Sequence, residues 1–489
     1  MNMKRLGLVM GIIIPLLMVV FSNFGETAQA SRMAAIAMMM SIFWVTEAIP
    51  LAATALIPLT LFPILGIASS KATASQYMNS TVFLLIGGFI IALSMQRWNL
   101  HKRIALNILS LFGGKPLSLV FGFMFATAVL SMWISNTATT LMMLPIALAI
   151  ISRYERFLTE RQAHRFTLGL LLAIAYSASI GGMMTLVGTA PNLVFAEFYQ
   201  QINGEAIGFV QWMLIAVPTG VSVLLVLFIM LSVLFLRGLP NSSELKQLVV
   251  AEKLQLGNIC YAEKVVLIVF VSTALLWITR KGINIGDVVV SGWSSWFASG
   301  VNVDDGTVAV AMATILFFIP AIGHKGEQTT ILDKKVFSQI PWSIVLLFGG
   351  GFALAYGFSV SGLSAYLATQ LQALQAVSLP VLILTVSVGM NLLTELTSNT
   401  ATTQLVMPIL VATAKVMDIS PVWLMLPAVL SASCAFMFPV ATPPNAIIFG
   451  SGKIKVIEMV KVGFALNIIA ILIVSAISYS MIPILIGGQ

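Results

Sequence analysis

Charge is scarce in this chain. Of its 489 residues 59% are hydrophobic and 9% charged, where soluble domains carry about 25% charged. That composition excludes a water-soluble globule. The recurring apolar runs, many near the ~20 residues that cross a bilayer as helix, indicate an all-α polytopic membrane protein. Short alternating segments, the mark of a transmembrane β-barrel, do not occur. Two cysteines, Cys260 and Cys434, exclude a disulfide framework or a metal cluster. The three histidines, His101, His164 and His324, lie in basic stretches and read as loop residues. Inside the apolar segments no nucleophile has a histidine or paired aspartate beside it, which excludes a membrane hydrolase.

The charge that is present encodes orientation. A net +8 would suit nucleic acid, but Lys and Arg concentrate in short loops at alternate ends of the apolar segments. Lys4-Arg5, an apolar run to Phe21 and Ala28-Gln29-Ala30 imitate a cleavable signal peptide. A retained first helix is expected, because cleavage would upset the charge topology. With the N-terminus in the cytoplasm, eleven spans follow, at about 6–22, 33–48, 51–65, 81–98, 166–200, 210–236, 265–279, 307–322, 341–360, 424–448 and 462–486. Region 117–151 would be ~52 Å long as one helix, against a ~30 Å hydrocarbon core. It therefore reads as a re-entrant hairpin open to the cytoplasm, and 380–415 as a second one open to the outside. Of the 25 Lys and Arg, only Arg32, Lys71, Arg280, Lys281 and Lys415 then fall outside. The expected location is the cell inner (plasma) membrane, with the C-terminus outside.

Both hairpins break at the same six residues, Ser135-Asn136-Thr137-Ala138-Thr139-Thr140 and Ser398-Asn399-Thr400-Ala401-Thr402-Thr403. Phe83 to Gly88 corresponds to Val345 to Gly350, and Thr189-Ala190-Pro191-Asn192 to Thr442-Pro443-Pro444-Asn445. The offsets are 263, 262 and 253, in one order. An odd number of spans separates corresponding elements, so the sequence predicts an inverted repeat. Small polar residues at such depth need partners that lipid does not offer. A helix that begins there exposes N–H groups suited to an anion, and one that ends exposes carbonyls suited to sodium. No Lys, Arg or His falls within the tips or the Pro-Asn motifs, so an anionic substrate must be neutralised by helix ends and co-bound cations. Glu47 and Glu395, near a turn and a hairpin tip, read as caps for backbone N–H groups. A proton relay is the other reading for such carboxylates.

Through Trp44–Pro50, both Ser-Asn-Thr tips, Gly188–Asn192 and Ala441–Asn445, the whole chain resembles the divalent anion/sodium symporter family of dicarboxylate, citrate and sulfate carriers. The resemblance implies a homodimer in which a transport domain moves against a scaffold like an elevator. It places scaffold at 1–115 and 241–377, and transport domain at 116–240 and 378–489. It implies at least two Na+ sites, one involving Ser131, Ser135, Asn136 and the Gly188 carbonyl, the other Thr394, Ser398, Asn399 and the Ala441 carbonyl. Asn136, Thr137, Asn399 and Thr400 would hold the carboxylates of a small dicarboxylate anion, with Thr442 and Pro443 lining the pocket. Ala190, where the second half has Pro443, departs from the pattern and implies a less rigid first break. The resulting expectation is sodium-coupled symport of C4-dicarboxylates (succinate, fumarate, malate). A sodium-independent exchanger, a citrate or sulfate carrier, and an uncoupled anion channel are the rivals. Family exchangers tend to carry a basic side chain near the site in place of sodium, and none stands in these motifs.

Overall fold

The computed structural model describes residues 3–21, 27–241, 244–281, 283–285, 288–297, 303–322, 328–370 and 377–486. Helix dominates throughout. Among the described residues, strand occurs only as two short antiparallel ladders. Ile283–Ile285 pairs with Val288–Val290 (Ile283 opposite Val290), and Pro320–Ile322 with Gln328–Thr330 (Pro320 opposite Thr330). Eight described helices are long and apolar enough to cross a membrane, and five shorter apolar helices accompany them. The chain is an all-α polytopic membrane protein.

In lipid a backbone group normally finds its partner within its own helix, so the places where helices stop carry information. Four apolar stretches stop midway. Pro116–Ser131 gives way to Asn136–Tyr154, and Leu379–Thr394 to Asn399–Val416. Glu160–Met183 is followed by Ala190–Asn203, and Val422–Ala432 by Pro443–Phe449. All four breaks fall where the repeated motifs stand.

Other boundaries differ from the sequence reading. The 51–65 segment is two helices, Leu51–Thr54 and Ile57–Ile64, because Pro58 lacks the N–H that a continuous ladder needs. The 307–322 segment is helical only over Asp305–Phe318 before Pro320 opens a strand, since the residue before proline is pushed towards extended backbone. The last span begins early, at Val456. His101 and His164 are not loop residues: they lie on helices Leu100–Leu111 and Glu160–Met183, where their basic neighbours form polar helix faces and ends. His324 lies outside the described residues.

Packing builds two cores. The smaller draws on residues 30–77 and 347–363, with Trp44, Phe62 and Phe358 at its centre, and receives Ala401 from the Asn399–Val416 helix. The larger gathers most of the remaining helices. Its central post is Glu160–Met183, every residue of which is buried from Phe166 onwards. Between helices in a bilayer, close fit rather than hydrophobic transfer supplies most of the attraction.

The Val456–Ile486 helix measures where the two broken pairs end. Near its start, Glu458 Oε1 lies 2.6 Å from His164 Nε2, and Lys453 reaches Glu155 at 3.6 Å, at the end of the first pair. Further along, Tyr479 packs on Trp423, ring centroids 5.9 Å apart, a few residues past the second pair. Glu458 and Tyr479 are ~31 Å apart along the helix at ~1.5 Å per residue. The first pair also returns to where it starts. Gly113 lies against Lys246, while the Tyr154 hydroxyl donates to the Pro240 carbonyl on the same connection.

Candidate functional site

The two Ser-Asn-Thr breaks repeat one local chemistry. Ser135 Oγ accepts from Ala138 N at 3.3 Å and Ser398 Oγ from Ala401 N at 3.5 Å, each serine capping the helix that follows it. Thr140 and Thr403 donate back to the Asn136 and Asn399 carbonyls, at 2.8 and 2.7 Å. Thr189 (φ −146°, ψ 147°) and Thr442 (φ −139°, ψ 150°) hold nearly the same extended backbone, so Ala190 does not alter the path of the first break. The caps differ instead. Thr442 Oγ1 accepts from Asn445 N at 3.4 Å, whereas Thr189 makes no side-chain cap.

The four breaks meet around one cavity of about 830 Å³. Asn136, Thr137, Asn399, Thr400, Thr442 and Pro443, the expected substrate contacts, all line it. Of the expected cation ligands, Ser135, Asn136, Gly188, Ser398, Asn399 and Ala441 reach the wall, and Ser131 and Thr394 do not. Ser131 is buried behind Asn136, its Oγ 2.7 Å from both Asn136 Oδ1 and the Ala178 carbonyl. Thr394, at the matching place, turns its hydroxyl to the Met390 and Asn391 carbonyls of its own helix, at 2.9 and 3.1 Å. Asn399 Oδ1 is therefore buried with no partner among the described residues. The first tip is satisfied internally; the second presents an open acceptor.

Glycine brings the backbones this close. A Cβ on Gly182 would fall 2.3 Å from Asn136 Oδ1, and one on Gly188 2.4 Å from the Gly182 carbonyl oxygen. The polar groups so assembled are hydroxyls, carboxamides and carbonyls. Among the described residues no cluster of three His, Cys, Asp or Glu could hold a metal ion. Neutral oxygens suit a hard cation such as sodium, and the adjoining helix starts suit an anion. Charge enters only with Lys4 and Glu47. Glu47 ends the Ala28–Thr46 helix in the left-handed region, at φ 46°; its exposed carboxylate accepts from no backbone N–H among the described residues, so it does not take the capping role expected of it.

Several residues without an assigned role hold the breaks open. Asn192 Nδ2 donates to the Gly182, Met183 and Thr185 carbonyls (3.1, 3.3 and 2.7 Å), occupying oxygens freed where the helix stops. Asn445 repeats this with the Ala435 and Phe438 carbonyls, at 3.3 and 3.1 Å. Glu395 accepts from the Phe436, Met437 and Phe438 amides, the capping role expected of it. Asn467 Nδ2 joins at 2.6 Å from Glu395 Oε1 and 3.0 Å from Asn391 Oδ1. Asn192 and Asn445 were visible as the last residue of a repeated motif. Asn391 and Asn467 showed only as lone amides in apolar runs.

Helix breaks gathered around one cavity inside an all-α membrane protein define a transporter. The chain matches the family described as "Sodium:sulfate symporter transmembrane region" over residues 2–487, and it belongs to that family. It is similar to the sodium-dependent dicarboxylate transporter SdcS of Staphylococcus saprophyticus, 39% identical over 494 residues, covering 99% of this chain and 92% of the relative. SdcS of Staphylococcus aureus strain NCTC 8325 is also 39% identical, over 495 residues with the same coverage. Among solved structures, the Alcanivorax borkumensis YdaH transporter matches with a TM-score of 0.58 at 13% identity, over 99% of each chain. Neisseria gonorrhoeae MtrF matches with a TM-score of 0.56 at 13% identity, over 97% of this chain and 93% of its own. The last two likenesses show the fold alone. The protein is a transporter, not an enzyme.

Proposed function

We propose that this protein takes up C4-dicarboxylates such as succinate, fumarate or malate by sodium-coupled symport. One observation carries the reading: both Ser-Asn-Thr tips and both Pro-Asn helix starts line a single cavity whose inner polar groups are neutral. A doubly negative guest there needs compensation from helix starts and co-bound cations. The sodium-dependent dicarboxylate relatives support both the ion and the substrate class. Ser131, Ser135, Asn136 and the Gly188 carbonyl serve one sodium. Thr394, Ser398, Asn399 and the Ala441 carbonyl serve the other, with the Thr394 hydroxyl swinging off its own helix. Asn136, Thr137, Asn399 and Thr400 hold the carboxylates, and Thr442 and Pro443 shape the pocket.

The two broken pairs act as re-entrant hairpins opening to opposite sides, in an inverted repeat. Their ends, ~31 Å apart along the last helix at ~1.5 Å per residue, support this. Residues 116–240 and 378–489 slide as a transport domain against a scaffold of 1–115 and 241–377, and two copies form a homodimer. With the N-terminus cytoplasmic and the C-terminus outside, the cavity wall near Lys4 and Glu47 faces the cytoplasm. Lys4 also favours a second reading, sodium-independent exchange, in which a fixed cation replaces sodium. Labelled succinate uptake into proteoliposomes separates the two. Symport requires that uptake collapse when external sodium is replaced by choline, and excess unlabelled citrate or sulfate reports the rival substrates. Undiminished uptake in choline that depends on internal dicarboxylate would establish exchange.

A further inference from the structure

The duplicated segments differ at one contact between the proposed moving and fixed parts. Matching the two Ser-Asn-Thr-Ala-Thr-Thr copies pairs Leu141 with Gln404, and matching the two Gly-Gly copies pairs Phe89 with Gly351. Leu141 is 55% exposed. Gln404 is wholly buried, and neither its Oε1 nor its Nε2 has a hydrogen-bond partner among the described residues. It rests on Gly351 so closely that a Cβ there would fall 2.2 Å from Gln404 Cδ. Gly351 is thus the socket that admits the side chain. The socket lies on the Trp342–Val360 helix of the proposed scaffold, and Gln404 on the Asn399–Val416 helix of the proposed transport domain. Each is one turn past a residue of the cavity wall, Leu347 and Thr400 respectively.

A carboxamide has two donors and an acceptor, and burying it unpaired carries the full desolvation cost. Glycine removes only the steric conflict. A leucine, as at position 141, would fill the space without that cost. We infer that Gln404 is a state selector: its unpaired burial disfavours the facing state seen here, and sliding carries it off Gly351 to water or a polar partner in the opposite-facing state. This rests on the sliding-domain reading above. The empty carrier is then biased towards the opposite-facing state, and that bias tunes its apparent affinity on each side.

Ser80 and Gln200 report the state, because both line one small crevice between the Ser80–Arg97 and Ala190–Asn203 helices. Cysteines replace them in a Cys260→Ser background (Cys434 is buried), and a short bifunctional thiol reagent is applied in proteoliposomes. The parent pair is expected to cross-link slowly and lose uptake when cross-linked. Gln404→Leu and the near-isosteric Gln404→Met should raise the cross-linking rate about tenfold and slow uptake. Gln404→Glu, which adds charge to the same burial, should fall below the parent. Parental cross-linking rates in both Gln404→Leu and Gln404→Met, with parental gel-filtration profiles, would overturn the inference. Full uptake by the cross-linked parent would instead overturn the sliding-domain reading, whatever the Gln404 variants do.

Discussion

Glu395 is 2% exposed and forms no salt bridge among the described residues, yet three backbone amides and the Asn467 carboxamide point at its two oxygens. The 433–442 break is therefore organised by a side chain from the neighbouring broken pair. Removing the acceptor strands those donors, at about 1–3 kcal/mol for a buried group left unsatisfied. Glu395→Ala should lower the thermal midpoint of the detergent-solubilised protein more than Glu395→Gln, which keeps one acceptor oxygen. Equal midpoints for both variants and the parent would contradict this role. Asn136 and Asn399 differ in kind: both line the cavity wall, where the proposed function has them meet the cargo. Asn136→Ala and Asn399→Ala should each cut sodium-driven uptake by roughly tenfold to a hundredfold, the worth of a hydrogen bond to a charged partner, with normal expression. Full uptake in both would remove these residues from the site.

Among the elements, the breaks were the most legible part, because each is local. A serine or threonine before a helix, a proline in its first turn and small neighbours announce themselves within six residues. What escaped was decided by partners far away in sequence. Nothing near Asn467 indicates that it meets Glu395, 72 positions earlier, and nothing near Thr394 foretells that its hydroxyl turns to its own helix. Helix lengths escaped for a different reason: apolar continuity across 51–65 hides the break before Pro58. The close approach at Gly182 belongs to this scale, where two helices meet over Asn136. Gly182→Ala should preserve expression and raise the sodium concentration for half-maximal uptake by about tenfold, about 1.4 kcal/mol, the order of one displaced ligand contact. Gly389→Ala, where a Cβ meets nothing within 4 Å, should leave it unchanged. A parental sodium response in Gly182→Ala would separate that contact from cation binding.

For the whole molecule, charge asymmetry and the repeat make the same demand by independent routes. Basic loops inside would set the direction of each span, and the odd number of spans expected between the copies would then oppose the two proposed hairpins. The folded chain adds a third route in the Val456–Ile486 helix, with His164 near one end and Trp423 near the other. Arg153 and Lys415 test all three, for each is exposed in the last turn of the second helix of a proposed hairpin. Hairpins that open oppositely put Arg153 in the cytoplasm and Lys415 outside, whereas an arm that crossed the bilayer would bring its residue to the wrong face. In a Cys260→Ser background, a membrane-impermeant maleimide should label Arg153→Cys only in inverted vesicles and Lys415→Cys only in right-side-out ones. Labelling of both from one side would remove the opposed openings, and with them the route by which one cavity could be offered to each side in turn.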